Sequence, residues 1–174
     1  MSSYQLLLFD RDGTLTYEQR SYHRNLSALP AYPFTGATLN ELDASGYRLA
    51  VATNQSGIAR GYWSLKEVEA LHERFCREWG VTPRFYICPH HPDDGCRCRK
   101  PEPELLQRAM SGYGVQAEAC LMIGDSLADY GAARRAGAAF ALVLTGRGRA
   151  TRDQLPEPPA MVLDNIAGLR EHLT

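Results

Sequence analysis

Apolar residues gather into short, dense runs at residues 5–9, 49–52, 85–88, 121–123 and 140–144, each bounded by charged or turn-forming residues. Several runs are β-branched or aromatic, and their length predicts buried strands. Residues 161–163 predict one more, after a loop at 152–159 rich in proline and charge. Between the runs the apolar spacing becomes helical. At 64–79, Val68, Leu71, Phe75 and Trp79 recur at helical intervals, Ser64 and Glu67 form a capping box, and Gly80 stands at the C-cap. Further helices are predicted at 37–45, 102–111 and 127–136, ended by Gly46, Gly112 and Gly137, with a last one at 166–173. Strands alternating with helices need crossover connections. The pattern therefore predicts a doubly wound α/β fold, a mainly parallel, Rossmann-like sheet with helices on both faces. Residues 16–35 show no clean period and are long for a structureless loop; they are either a substrate-facing flap or a plain surface excursion.

Composition narrows the function classes. With 174 residues, 44% hydrophobic and 22% charged, the chain is expected to form one globular domain over 1–174. Lys and Arg total 19 against 20 Asp and Glu, a net charge of -1, so no overall field recruits nucleic acid or anionic lipid. No basic segment precedes LLLF, and the apolar stretch at 136–146 is too short to span a bilayer, so a cytoplasmic location and no membrane partner are expected. Five cysteines, an odd number in a chain with no visible export signal, argue against a disulfide framework.

In open parallel sheets, ligands bind beyond the carboxyl ends of the strands. The residues there form a coherent set: Asp10, Arg11, Asp12, Gly13 and Thr14 after the first run, Thr53, Asn54, Gln55 and Ser56 after the second, Gly124 and Asp125 after the fourth. Asp10 and Asp12 share a side if extended geometry persists, and adjacent carboxylates repel unless a cation or a proton separates them. Asp125 adds a third oxygen of the hard type that Mg²⁺ prefers. The plainer alternative is a set of turn and cap aspartates around Gly13. Cys88, His90, Cys96 and Cys98, spaced C-x-H-x5-C-x-C, suit a closed, structural Zn²⁺ site in a polar loop at 88–100. His91 is an alternative to His90, and free thiols with a surface histidine are the alternative to a metal. The loop's exit, Arg99 and Lys100, is expected to reach the active site. Cys76 and Cys120 are expected in the core, and His23 and His72 on the surface. Arg60, Arg99 and Arg147 are candidates for a second phosphate or a sugar hydroxyl, and Tyr62 and Trp63 either pack on the 64–79 helix or line the pocket.

DRDGT at 10–14, Thr53, Lys100 and GDSLAD at 124–129 stand in the order of the four motifs of the haloacid dehalogenase superfamily, which the chain resembles over nearly its whole length. TNQSGIARGY and CPHHPDDGCRCRKP are similar to its branch of small, capless phosphatases acting on heptose 1,7-bisphosphate or histidinol phosphate. The resemblance implies a phosphomonoester hydrolase in which Asp10 is phosphorylated and Asp12 is general acid and base. It implies catalytic Mg²⁺ held by the Asp10 and Asp125 carboxylates and the Asp12 carbonyl. Thr53, Asn54 and Lys100 would hold the phosphoryl oxygens, with Gln55, Ser56, Arg60 and Arg99 also on the substrate. The family pattern favours His90 over His91 as the zinc ligand, and Asp129 is expected to orient Lys100 or the metal's waters rather than bind the metal, a solvated helix aspartate being the alternative. A monomer acting on a small phosphorylated metabolite is implied as well. NQSGIARGYWS and LTGRGRAT favour the heptose bisphosphate of surface-glycan precursor synthesis, whereas the five-residue gap from His90 to Cys96 matches the histidinol-phosphate type. A nucleic-acid end-processing phosphatase shares two of the motifs, but a net charge of -1 gives it little with which to track a backbone. An inert zinc-binding interaction module would lack a nucleophile or a metal carboxylate, and all are present.

Overall fold

A computed structural model describes residues 4–18 and 25–173. Six strands, β1 (Leu6–Phe9), β2 (Arg48–Asn54), β3 (Arg84–Cys88), β4 (Cys120–Gly124), β5 (Ala139–Val143) and β6 (Met161–Leu163), form one parallel sheet in the order β3-β2-β1-β4-β5-β6. The expected strands are all present, within a residue or two of the expected ends. The helices are α1 (Thr35–Ala44), α2 (Leu65–Trp79), α3 (Glu104–Tyr113), α4 (Leu127–Ala136), and the short α5 (Gly148–Arg152) and α6 (Leu169–Leu173). No helix among the described residues is long and apolar enough to cross a membrane.

The two-residue repeat of the strands divides the core in two. Leu7, Phe9, Leu49, Val51, Leu121, Ile123, Ala141 and Val143 face a layer containing residues of α1, α2 and α6. Leu6, Leu8, Ala50, Ala52, Cys120, Met122, Phe140 and Leu142 face one containing residues of α3 and α4. Both faces are covered, which is why the strands read as continuous apolar runs rather than as alternation.

α2 begins with the expected capping box, Ser64 Oγ accepting from Glu67 N–H and Glu67 Oε2 from Ser64 N–H, and ends at left-handed Gly80. α3 departs from expectation. It runs past Gly112 to Tyr113 and stops at Gly114, whose φ of 64° permits the left-handed cap. Gly112 serves packing instead: a Cβ there would lie 2.9 Å from the Tyr86 hydroxyl. α1 is shifted toward the N-terminus and ends before Ser45. The last helical segment divides into a 3₁₀ turn, Ile166–Gly168, and α6. Of the 16–35 segment, residues 19–24 lie outside the described residues, and with them His23. The remainder includes a 3₁₀ turn at Leu26–Ala28 and a bridge from Thr16 to Ala31.

Candidate active site

Because β1 is flanked by β2 and β4 in matched register, Phe9 lying beside Val51 and Ile123, the chain turns that follow the three strands meet at one edge. The order of the strands reverses there, the position where such sheets bind ligands. A cleft of about 550 Å³ opens at this edge, with Asp10, Asp12, Asn54, Gln55, Ser56, Arg99, Lys100, Asp125 and Asp129 among its lining residues.

Lys100 is the hub. Its ammonium, nearly inaccessible to solvent, donates to Asp10 Oδ1 at 2.8 Å, to Asp129 Oδ1 at 2.6 Å and to the Ala52 carbonyl at 2.6 Å. Asn54 fixes the lysine's main chain: its Oδ1 accepts from Lys100 N–H and its Nδ2 donates to Lys100 O, both at 3.0 Å. Asp129 is itself fixed, since Oδ2 accepts from Ser126 N–H and Oγ in the capping box of α4. Asp129 therefore orients Lys100.

Asp10, Asp125 and Asp129 each bring an oxygen within 4.8 Å of the others. Burial first, then repulsion from the neighbouring carboxylates, pushes the Asp10 and Asp125 pKa values well above the ordinary range, although Lys100 opposes the rise. With Asp129 committed to Lys100 and Ser126, Asp10 and Asp125 are the hard donors left for a divalent cation, which would relieve their repulsion. The donor set fits Mg²⁺. Close backbone approach shapes this corner: a Cβ at Gly146 or Gly13 would stand 2.1 or 2.3 Å from Asp125 Oδ2, and the Arg147 N–H donates to that oxygen at 2.7 Å. Of the TGRG glycines, Gly146 is thus required by packing on Asp125, and Gly148 by the Val143 carbonyl, which a Cβ would approach to 1.7 Å, a signal too short to interpret in the sequence.

Asp12 is held differently. Arg11, fully buried, donates from Nε and Nη2 to Oδ1 at 3.1 and 3.0 Å and from Nη2 to Oδ2 at 3.1 Å, while Gln55 Nε2 donates to Oδ2 at 2.8 Å. Gln55 also accepts from Arg11 Nη2 and donates to Thr53 Oγ1, so its amide is engaged on both sides. Thr53 is buried beneath Gln55 rather than on the cleft wall.

His72 is not a surface residue. It lies on the apolar stripe of α2 between Val68 and Phe75, 4% exposed, stacked on Phe85 at 4.0 Å with Nε2 3.1 Å from Arg11 Nη1. Burial, and then the Arg11 charge, pushes its pKa down to about 3. The signal was available, because position 72 shares the helical spacing of 68, 75 and 79. Arg60 is exposed and outside the cleft lining. Arg99 lines the cleft with Nη1 buried and unpartnered. Arg147, on the opposite wall, pairs with Glu18 at 2.6 Å. Trp63 is buried and lines the cleft while Tyr62 is exposed.

The Cys88, His90, Cys96 and Cys98 donors converge beside this site. Cys88–Cys96, Cys96–Cys98, Cys88–His90 Nδ1 and Cys98–His90 Nδ1 lie at 3.6, 3.7, 3.7 and 3.2 Å. Ligand edges of a tetrahedron with Zn–S bonds of about 2.3 Å are roughly 3.8 Å long, so the set fits zinc. His91 is committed elsewhere, its Nδ1 accepting from Asp93 N–H. The donors are not all on a polar loop: Cys88 ends β3, and Cys88 and Cys98 are buried against the core. Of the other thiols Cys120 is buried as expected, whereas Cys76 is only half-buried.

Strand order and an acidic, lysine-bridged edge define a Rossmann-like domain with a carboxylate cluster in the cleft at its topological switch point. The HAD-hydrolase-like family model matches residues 97–169. Over 97% of this chain and 99% of its own length, the D-glycero-β-D-manno-heptose-1,7-bisphosphate 7-phosphatase of Pseudomonas putida is 36% identical. The protein of the same name from Pseudomonas aeruginosa is 38% identical over 98% of each chain. The crystal structure of D,D-heptose 1,7-bisphosphate phosphatase from Bordetella bronchiseptica, complexed with magnesium and phosphate, superposes with a TM-score of 0.91 at 34% identity over 97% of each chain. The chain belongs to this family of haloacid dehalogenase-like phosphatases.

Proposed function

We propose that this protein hydrolyses D-glycero-D-manno-heptose 1,7-bisphosphate, releasing the 7-phosphate through a phosphorylated Asp10. The chemistry rests on one observation, the Asp10 carboxylate at the cleft floor held 2.8 Å from a lysine that Asp129 and the Ala52 carbonyl immobilise. The substrate rests on the full-length relatives and on the magnesium- and phosphate-bound neighbour.

Asp10 attacks phosphorus while the bond to the sugar oxygen breaks, and Asp12 delivers a proton to that oxygen. Asp12 then takes a proton from the water that attacks the aspartyl-phosphate, which restores Asp10 and releases phosphate. Lys100 favours the ionised form of Asp10, orients it and neutralises charge gathering on the phosphoryl group. Mg²⁺ held by Asp10, Asp125 and the Asp12 carbonyl supplies further charge neutralisation when bound. Asn54 and Gln55 act one step back, on Lys100 and Asp12, and Thr53 supports Gln55 from below. Ser56 lines the cleft, and Arg99 offers its unpartnered Nη1 to the phosphate that is not cleaved. Cys88, His90, Cys96 and Cys98 hold a structural zinc that fixes the segment leading into Lys100. Residues 1–174 act as one domain and as a monomer, on a small phosphorylated metabolite in the cytoplasm.

Phosphate release in Mg²⁺, with heptose 1,7-bisphosphate and histidinol phosphate side by side and Asp10→Asn as the blank, tests the proposal. The bisphosphate is preferred in kcat/KM by about tenfold or more, roughly 1.4 kcal/mol of transition-state binding. The reverse preference overturns the substrate, and activity in Asp10→Asn overturns the mechanism.

A further inference from the structure

We propose that His72 is a positioning residue for the reaction, acting through Arg11 to fix the carboxylate of Asp12. The inference rests on the assignment of Asp12 as acid and base.

Arg11 is the largest fully buried side chain among the described residues, and it sits between the two catalytic aspartates of the chain. A buried guanidinium needs all of its donors satisfied. Nε and Nη2 reach Asp12, Nη2 also reaches Gln55 Oε1, and Nη1 reaches His72 Nε2 at 3.1 Å. Guanidinium only donates, so His72 Nε2 must be the acceptor and the ring neutral with its proton on Nδ1. His72 is therefore no proton shuttle. Its ring is locked by stacking on Phe85, and it passes that fixed orientation to Arg11.

The consequence falls on Asp12. Both oxygens are held, Oδ1 by Arg11 and Thr16 Oγ1 and Oδ2 by Arg11 and Gln55, yet a quarter of the side chain stays exposed to the cleft. An acid that protonates the leaving oxygen and then deprotonates water must present the same oxygen twice without swinging. The fork of Arg11 holds the carboxylate plane, and the ring on α2, far away in sequence, holds the fork. Gln55 closes the network from the turn just beyond β2.

The test compares His72→Leu, which removes the acceptor, with His72→Gln, whose Oε1 restores one near the position of Nε2. Both are assayed in saturating Mg²⁺ with heptose 1,7-bisphosphate and with p-nitrophenyl phosphate, whose phenolate departs without a proton. Asp10→Asn is the control for the underlying mechanism. In His72→Leu, kcat on the sugar phosphate falls by about tenfold or more with KM within about twofold, because acid–base catalysis is lost and binding is not. With p-nitrophenyl phosphate the first step is spared and the second slowed, so a burst approaching one nitrophenolate per enzyme precedes a slow steady state. His72→Gln recovers most of the loss. Wild-type kcat in folded His72→Leu overturns the inference, as does a loss confined to KM, or equal losses without a burst in both variants. Activity in Asp10→Asn would instead remove the assignment on which it rests.

Discussion

Acidification reports on the burial of His72, and its size follows from the structure. The imidazole is 4% exposed, faces the Arg11 guanidinium and has its pKa pushed down to about 3 from the ordinary 6.5. A folded-state pKa below the unfolded value means that the unfolded chain binds the proton first. The stabilisation is whole above pH 6.5 and is lost progressively as pH falls toward 3. At about 1.4 kcal/mol per pKa unit, the change from pH 7 to pH 5 removes about 2 kcal/mol, a large part of the 5–15 kcal/mol that folded domains possess. Asp10 and Asp125 pull the other way, because their raised pKa values stabilise the metal-free fold at low pH and lose that contribution as pH rises. A difference measurement separates the two. Urea unfolding of the wild type and of His72→Gln at pH 7 and pH 5, without Mg²⁺, should show the wild type losing about 2 kcal/mol relative to the variant, which keeps the acceptor but cannot titrate. A difference constant within about 0.5 kcal/mol across that range would mean that His72 is not held neutral by the fold, and the tautomer assigned above would fall with it.

Gly57→Ala places a Cβ 2.2 Å from the Trp63 ring in the cleft wall, and since backbone and a buried indole cannot both yield, stability falls by about 1–3 kcal/mol by urea unfolding. Unchanged stability would show that Trp63 is free to move. Removing zinc, with its absence verified by metal analysis, lowers the thermal midpoint and reduces kcat more than it raises KM, because Cys98 lies just ahead of Lys100. Full activity without zinc would leave the cluster no part in placing Lys100.

The strands and main helices were legible because each buried segment carries its own period and its own caps, as Ser64, Glu67 and Gly80 do for α2. The strand order was not. Parallel strands buried on both faces look alike, and nothing in LLLF or in the 121–123 run says that they are neighbours. Where the reading slipped, one residue had two uses. Gly112 looks like a helix stop and is a packing gap for Tyr86, and the true stop at Gly114 follows close behind.

At the site the legible part was which residues gather, and the illegible part was what each touches. Asp10, Asp12 and Asp125 reach one edge because they follow strand ends, and Lys100 because the 88–100 loop leads back to it, a matter of order along the chain. Thr53, Asn54 and Gln55 stand at a strand end too, the first two expected on the phosphoryl oxygens and Gln55 on the substrate, and their polar atoms bond inward, to the Lys100 main chain, to Asp12 and Arg11, and to one another. A residue that binds substrate and a residue that holds such a residue share the same polarity and the same place in a motif. Only distances separate them. The same holds for Arg11, which stands in the motif between two aspartates yet bonds inward to Asp12, Gln55 and His72. The Arg11–His72 pairing gives Arg11 Nη1 an acceptor and His72 Nε2 a donor, each worth about 1–3 kcal/mol when buried, while His72 Nδ1 stays buried without a partner among the described residues. Helical spacing marks His72 for the core, but which buried polar partner it meets becomes visible only once Arg11 has been placed beside it.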